Sequence, residues 1–304
     1  MTILPRGPRV GGMYRNIVVG FDGTPEARDA LALAVALRDH EGVVTAASVS
    51  SDGRGAEADQ ALPALGDRVA GEWLRSRPLV GRDAAERLLK LVRESGADLF
   101  VFGSSARSEA GRTTLGPVGR RLLFGCPCPV TVVPKGFRQR TGAPGLVGVA
   151  FETEDEAVHA VEEAVHVARS LGADLRLLCI VPPLPAWALY AGRDAGYSSD
   201  EVERQHLSSF AHVLDQALAA VPAGVSAEGR LLEGRPAAAL RREVESGVDL
   251  LVMASPGVRP VPGVRPGTTA LGVLRSSPCP VLLTPTGVRA TDDHARGAPG
   301  AASR

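Results

Sequence analysis

One stretch of this chain is written twice. Glu94-Ser-Gly-Ala-Asp-Leu-Phe-Val-Phe102 returns 151 residues later as Glu245-Ser-Gly-Val-Asp-Leu-Leu-Val-Met253. At the same offset Pro127-Cys-Pro-Val130 returns as Pro278-Cys-Pro-Val281. Upstream, Gly81-Arg82 matches Gly234-Arg235, and Val19-Gly-Phe-Asp22 resembles Val149-Ala-Phe-Glu152. Several matches in one order mean a duplicated unit, and 304 residues hold two of them. The expected domains are 14–135 and 145–287, joined by a linker over Pro134–Gly145 and flanked by loose tails at 1–13 and 288–304.

Each copy alternates apolar, strand-like runs with helical spacing, the pattern of a parallel α/β sheet. In the first copy Asn16–Phe21, Val43–Val49, Glu72–Val80, Leu99–Phe102 and Val130–Val133 read as strands, the third interrupted by Pro78. Thr24-Pro25 supplies an N-cap and first-turn proline for a helix carrying Ala27, Ala30, Leu31, Ala34 and Val35. Further helices are expected near Asp59–Ala70, at Asp83–Glu94 and at Val118–Phe124. The second copy reads as strands Leu146–Phe151, Leu175–Val181, Ser226–Leu232, Leu250–Met253 and Val281–Thr284. Its helices are one opened by a Thr153/Glu156 capping box, one near Glu201–Ala220 and one at Pro236–Glu245. Pro182–Ser199 has no counterpart in the first copy. It carries Trp187, Tyr190 and Tyr197, and reads either as a cover over a cleft or as a surface excursion.

Composition narrows the function. Hydrophobic residues make up 44% and charged residues 22%, too apolar for a chain that stays unfolded. No stretch is long and apolar enough for a membrane helix. Thirty-four basic residues balance 34 acidic ones, so no net field favours nucleic acid or an anionic membrane. Lys90 and Lys135 are the only lysines, and neither follows a phosphate-binding glycine loop. Cys126, Cys128, Cys179 and Cys279 form neither a disulfide framework nor a zinc-ligand spacing, and all four are expected as free thiols without metal. The N-terminus lacks a secretory core, and the reading is cytoplasmic.

The loop after the fourth strand is the most informative segment. It runs Gly103-Ser-Ser-Ala106, nine residues, then Gly116-Pro117-Val118; the second copy runs Ala254-Ser-Pro-Gly257, nine residues, then Gly267-Thr268. Glycines let backbone approach a ligand, and the following helix start favours an anion; a ligand-free turn is the competing explanation. On these residues the chain resembles a tandem universal stress protein, whose ATP-binding members carry G-x2-G-x9-G-[S/T] here and an aspartate after strand one. The resemblance implies two five-stranded parallel sheets of order 3-2-1-4-5, of the adenine-nucleotide α-hydrolase-like type. It also implies a pseudo-two-fold axis that brings residues 129–133 and 280–284 together, as in the family's dimers. ATP or another adenine nucleotide would then bind where strands one and four diverge. Asp22 would hold ribose or the adenine edge, Val49 would flank the base, and Gly103, Gly116 and Val118 would line the phosphates. The second copy would use Glu152, Val181, Gly257, Gly267 and Thr268.

Both copies depart from that pattern. Ala106 and Pro117 stand for a glycine and a serine, and a left-handed Ala106 would cost about 1–2 kcal/mol. Ala254 and Glu152 stand for a glycine and the aspartate, and Pro256, Pro260, Pro262 and Pro266 stiffen the second loop. Because charged hydrogen bonds to phosphate are the stronger ones, side chains alone rank the second copy first. Arg107, Arg112, Arg259 and Arg265 are candidate phosphate clamps, and His159 and His166 read as solvated. Ser104 and Ser105 lack a histidine to activate them. The reading is a regulatory, non-catalytic stress-response protein with one or two degenerate nucleotide clefts. An unknown protein partner and a further homodimer stay open; the alternative is a ligand-free interaction scaffold.

Overall fold

The computed structural model describes residues 14–51, 72–139, 144–255 and 264–285. The helix expected near Asp59–Ala70, both tails, Gly257 and Arg259 lie outside them. In chain order the first half forms β1 (Tyr14–Gly20), α1 (Pro25–Leu37), β2 (Arg38–Ser50), β3 (Leu74–Val80), α2 (Ala84–Ser95), β4 (Leu99–Gly103), α3 (Pro117–Gly125) and β5 (Val130–Val133). The second forms β6 (Leu146–Phe151), α4 (Glu154–Leu171), β7 (Asp174–Val181), α5 (Ala186–Asp194), α6 (Ser199–Ala219), β8 (Ala227–Glu233), α7 (Pro236–Glu245), β9 (Leu250–Ser255), α8 (Thr268–Leu274) and β10 (Val281–Pro285).

Local chemistry accounts for most boundaries. Thr24 caps α1 by accepting from the Ala27 amide, with Pro25 in the first turn. Asp83 caps α2, and Gly96 ends it at φ 60°. Ser198 and Glu201 close a reciprocal capping box on α6, moving its start upstream of the expected Glu201. At α4 the box is only half formed: Thr153 accepts from the Glu156 amide, but the Glu156 carboxylate reaches back to the Glu152 amide instead. β2 begins earlier than its apolar run because the Arg38 guanidinium stacks 4.3 Å from the Trp73 ring and donates to the carbonyls of His40 and Gly42.

Each half has the strand order 3-2-1-4-5, as the resemblance implies. The halves do not stay separate sheets. They join into one ten-stranded sheet of order β3-β2-β1-β4-β5-β10-β9-β6-β7-β8. Every pairing is parallel except β5 with β10, which is antiparallel with Val281 opposite Val132 and Leu283 opposite Val130. Thr131 therefore faces Leu282, its own counterpart in the repeat, and the pseudo-two-fold axis passes through that pair. The cross-links around it obey the same symmetry. Thr113 N–H donates to the Ser277 carbonyl at 2.9 Å, and Val264 N–H to the Cys126 carbonyl at 2.8 Å.

Helices cover both faces, as buried parallel strands require. α1, α4 and α6 pack on one face in a core containing Ile17, Leu33, Val149 and Phe151. α2, α3, α7 and α8 pack on the other, around Phe100, Leu123, Leu240 and Leu251. Both cores run through the seam between the halves. The linker is clamped to α1: buried Asp29 accepts from the Gly136 and Arg138 amides and pairs with the Arg138 guanidinium at 2.9 Å. Across the seam the Tyr14 hydroxyl donates to Glu163, whose other oxygen accepts from Thr284 at 3.3 Å.

The excursion after β7 contains α5, which buries no residue. Trp187, Tyr190 and Tyr197 are all exposed, so their rings cover no core. The four cysteines are buried free thiols. Among the described residues no helix is long and apolar enough to cross a membrane.

Two outcomes are expected. The Thr131 hydroxyl is buried at the axis with no hydrogen-bond partner, while Leu282 opposite is apolar. Thr131→Val should therefore raise unfolding stability by about 1 kcal/mol in urea titration. Burial lifts the Glu163 carboxyl from 4.5 to about 7, and Asp98 adds to the rise against the opposing hydroxyls. A raised acid favours the folded state while it is protonated, so this contribution fades as pH rises through about 7. Glu163→Gln should flatten the decline in melting temperature between about pH 5 and about pH 8.

Candidate functional site

A cleft of about 370 Å³ opens at the carboxyl ends of β1 and β4, where the sheet order reverses. Asp22, Val49, Gly103, Gly116 and Val118 all line it, so the five first-half residues chosen from sequence share one wall system. Ala47, Ala84, Leu88, Phe102, Thr114 and Leu115 line it as well, making the base of the cleft largely apolar. These had no local signal in the sequence, because their register on separate elements is set by packing.

The two glycines have different reasons to be there. A Cβ on Gly103 would lie 2.3 Å from the Glu26 carbonyl oxygen. Gly103 is thus required where β4 meets the start of α1, whether or not a ligand is near. Gly116 is the N-cap of α3 at φ −74°, a conformation open to any residue. A Cβ there would meet nothing nearer than the Ser105 hydroxyl at 3.6 Å. Neither backbone strain nor packing calls for glycine at 116; its missing side chain leaves open space beside the helix start.

Asp22 is exposed, and one carboxylate oxygen accepts from the Thr24 amide at 3.1 Å and hydroxyl at 2.6 Å. It shapes the turn containing Gly23 (φ 79°) at the rim of the cleft that it helps to line. Val118 follows Pro117, whose missing N–H falls where the helix has no internal partner to lose. Ala106 needs no left-handed backbone, since no described non-glycine residue has positive φ; the expected strain is absent.

The loop from 104 to 116 holds itself together. Ser104 Oγ contacts Ser108 Oγ at 2.5 Å and accepts from the Thr114 amide at 2.7 Å; the Ser105 amide donates to the Thr114 carbonyl at 2.8 Å. Ser104 is buried and engaged in this way, not held by a base. Arg112 turns away from the cleft and donates to the Ser276 carbonyl at 3.0 Å, with Glu245 at 3.8 Å. Lys135 pairs with Glu26 at 3.1 Å and donates to the Ala106 carbonyl. Glu26, buried beneath the loop, was missed because a first-turn glutamate reads as an exposed helix residue and its partner lies far along the chain.

The model of the universal stress protein family matches residues 13–134 and 146–285. The chain belongs to the universal stress protein family. A universal stress protein of Mycolicibacterium smegmatis is 34% identical over 131 residues, 40% of this chain and 99% of the relative. One of Mycobacterium bovis is 27% identical over 97 residues, 32% of this chain and 33% of the relative. Solved universal stress proteins share the two-unit fold. One from Archaeoglobus fulgidus gives a TM-score of 0.61 at 17% identity, over 90% of this chain and 99% of its own. A putative one from Pseudomonas aeruginosa gives 0.62 at 18%, over 90% and 93%.

The second universal stress unit repeats the loop with altered contents. The Arg265 amide donates to Ser255 Oγ at 2.6 Å, matching Thr114 and Ser104. Gly267 caps α8 at φ −71°, matching Gly116, and Thr268 begins the helix exposed. At the strand-one end the match fails. Thr153 follows Glu152 directly, so the glycine turn of the first unit is lost. Burial and the neighbouring Glu156 carboxylate raise the Glu152 carboxyl. Buried Ala254 carries the methyl that has no room at Gly103, so the backbone approach seen between β4 and the start of α1 is not repeated at Ala254. Val181 is buried at the end of β7. His166 is half-buried on α4, and desolvation lowers its pKa; it is not the solvated side chain expected from its spacing.

The two cleft glycines should separate by experiment. Gly103→Ala should destabilise the fold by about 1–3 kcal/mol, because backbone cannot yield as a flexible side chain can. Gly116→Ala should cost less, about 0.5–1 kcal/mol, the preference of an N-cap for glycine over alanine. Thermal unfolding of the two variants side by side checks this.

Proposed function

We propose that this universal stress protein binds an adenine nucleotide in the first-half cleft and acts as a regulatory, non-catalytic stress-response protein of the cytoplasm. The observation that carries this reading is Gly116. It is a helix N-cap glycine with an ordinary φ and no atom nearer than 3.6 Å to where a Cβ would stand, beside an open cleft that Asp22 also lines. The apolar base around Ala47, Val49 and Leu88 suits a purine ring, and Asp22 suits ribose hydroxyls. The Val118 and Gly119 amides at the start of α3 suit a phosphate.

Side-chain chemistry alone ranks the second half higher, through Thr268 and Gly267. Packing favours the first: its strand-to-helix turn keeps the glycine, and its acidic residue is not crowded by a second carboxylate. Gly257 lies outside the described residues.

A ligand-free scaffold remains the second reading, favoured by one observation. The amides of Ser104, Ser105, Arg107, Ser108 and Thr114 are all engaged within the protein. Equilibrium titration with an adenine nucleotide distinguishes the two readings. Wild type should bind, and Gly116→Val should bind at least about tenfold more weakly while still unfolding cooperatively, with a melting temperature above that of Gly103→Ala. Gly267→Val with Thr268→Ala should leave this affinity unaltered. No binding by wild type would favour the scaffold.

A further inference from the structure

Two thiols meet inside the first half. Cys126 caps the end of α3, Cys128 leads into β5, and Pro127 and Pro129 restrict the backbone around them. Their sulfurs stand 3.6 Å apart and both side chains are buried, Cys126 at 0% and Cys128 at 2% exposure. The second half shows the same corner built without a thiol pair. The repeat puts Ser277 in place of Cys126 and Cys279 in place of Cys128. Ser277 Oγ lies 3.6 Å from the Cys279 sulfur, donates to the Cys279 carbonyl at 2.8 Å and accepts from the Cys279 amide at 3.3 Å. A hydroxyl closes this turn with two hydrogen bonds that a thiol, a weak donor and a weak acceptor, makes poorly. The turn itself therefore favours serine, and what cysteine adds at 126 is a second sulfur in contact with the first.

We propose that Cys126 and Cys128 form a dithiol oxidation site, which a hydroperoxide converts to an intrachain disulfide. The Cys126 thiolate attacks a peroxide oxygen, the O–O bond breaks, and the thiol proton leaves in the first water, giving a sulfenic acid. Cys128 then attacks that sulfur, the S–O bond breaks, and the hydroxyl leaves with the second thiol proton as another water. The two thiols give up two protons and two electrons, and hydrogen peroxide takes up both pairs. Contact with Cys126 and burial push the Cys128 thiol well above its ordinary range, which assigns the first attack to Cys126 and the resolving step to Cys128. Burial shields both sulfurs, so the reaction proceeds when the connection between α3 and β5 opens. The sulfurs must then close from 3.6 Å to about 2.05 Å. Cys126 also carries the carbonyl that receives the Val264 amide at 2.8 Å across the seam. Oxidation in the first half thereby acts on the loop between β9 and α8 of the second.

The test is to treat the folded full chain with hydrogen peroxide, block the remaining thiols with iodoacetamide in denaturant, and map the cysteines by peptide mass. The peptide holding Cys126 and Cys128 should resist alkylation, be two hydrogens lighter than its reduced form, and regain both thiols with dithiothreitol. Cys179 and Cys279 should stay alkylatable. Cys126→Ser copies the arrangement of the second half, so it should fold as wild type does and form no disulfide. Amide hydrogen exchange at Val264 should quicken about tenfold on oxidation of wild type and return on reduction, and peroxide should leave it unchanged in Cys126→Ser. Free thiols at 126 and 128 after peroxide, their conversion to sulfinic acids without a disulfide, or pairing of either with Cys179 or Cys279 overturns the site. A disulfide with unaltered exchange at Val264 overturns the link to the second half and leaves the oxidation site standing.

Discussion

The antiparallel pairing of β5 with β10 is the contact on which the rest of this molecule depends. A single five-stranded unit would leave β5, buried along its whole length and apolar but for Thr131, as an unpaired edge. Such an edge invites association with any other strand. Duplication within one chain supplies a permanent partner for it. The pairing turns two edges into the middle of a ten-stranded sheet, and lets each helical layer run across the join as one core. The outer edges, β3 and β8, contain no buried residue, and each carries charged side chains: Arg75 and Arg77 on β3, Glu228, Arg230 and Glu233 on β8. β3 adds Pro78 there, which can donate no ladder hydrogen bond.

The same seam reaches the cleft. Thr113 lies in the loop that closes the first cleft, and its amide and hydroxyl both bond to the α8–β10 connection of the other half. Ser277 returns a bond from its amide to that hydroxyl. Arg112, which in an isolated unit would be free to swing toward a ligand, is drawn to Ser276 and Glu245 instead. The loop is therefore positioned by the partner half as much as by its own strand. Most of its amides are engaged within its own half, while Arg112 and Thr113 are committed to the seam.

The two units also show how one methyl group redistributes a site. Where β4 ends in Gly103, the start of α1 comes close enough that no Cβ fits. Where β9 carries Ala254, that approach is closed, the turn before α4 loses its glycine, and Glu156 folds back on the Glu152 amide. The two clefts are related by descent and by the pseudo-two-fold axis, but their strand-one walls differ in backbone geometry and in the number of acidic groups.

Much of this was legible in the sequence. The repeat offset of 151, the apolar runs and the caps at Thr24, Asp83 and Thr153 are local signals, and local hydrogen bonding and periodicity act on a few neighbouring residues. They specify five strands per half and the identity of the cleft loop. The meeting of Asp22, Val49, Gly103, Gly116 and Val118 followed from a strand order that the family resemblance supplied. Other features had no local signal. Nothing near Glu26 marks it as buried against Lys135, nothing in Gly103 and Gly116 tells a packing glycine from an open one, and nothing in Arg112 shows that it faces the other half. Those depend on which distant atoms occupy the surrounding space, and only the tertiary structure decides that, because burial and charge pairing are properties of neighbours in space and not along the chain.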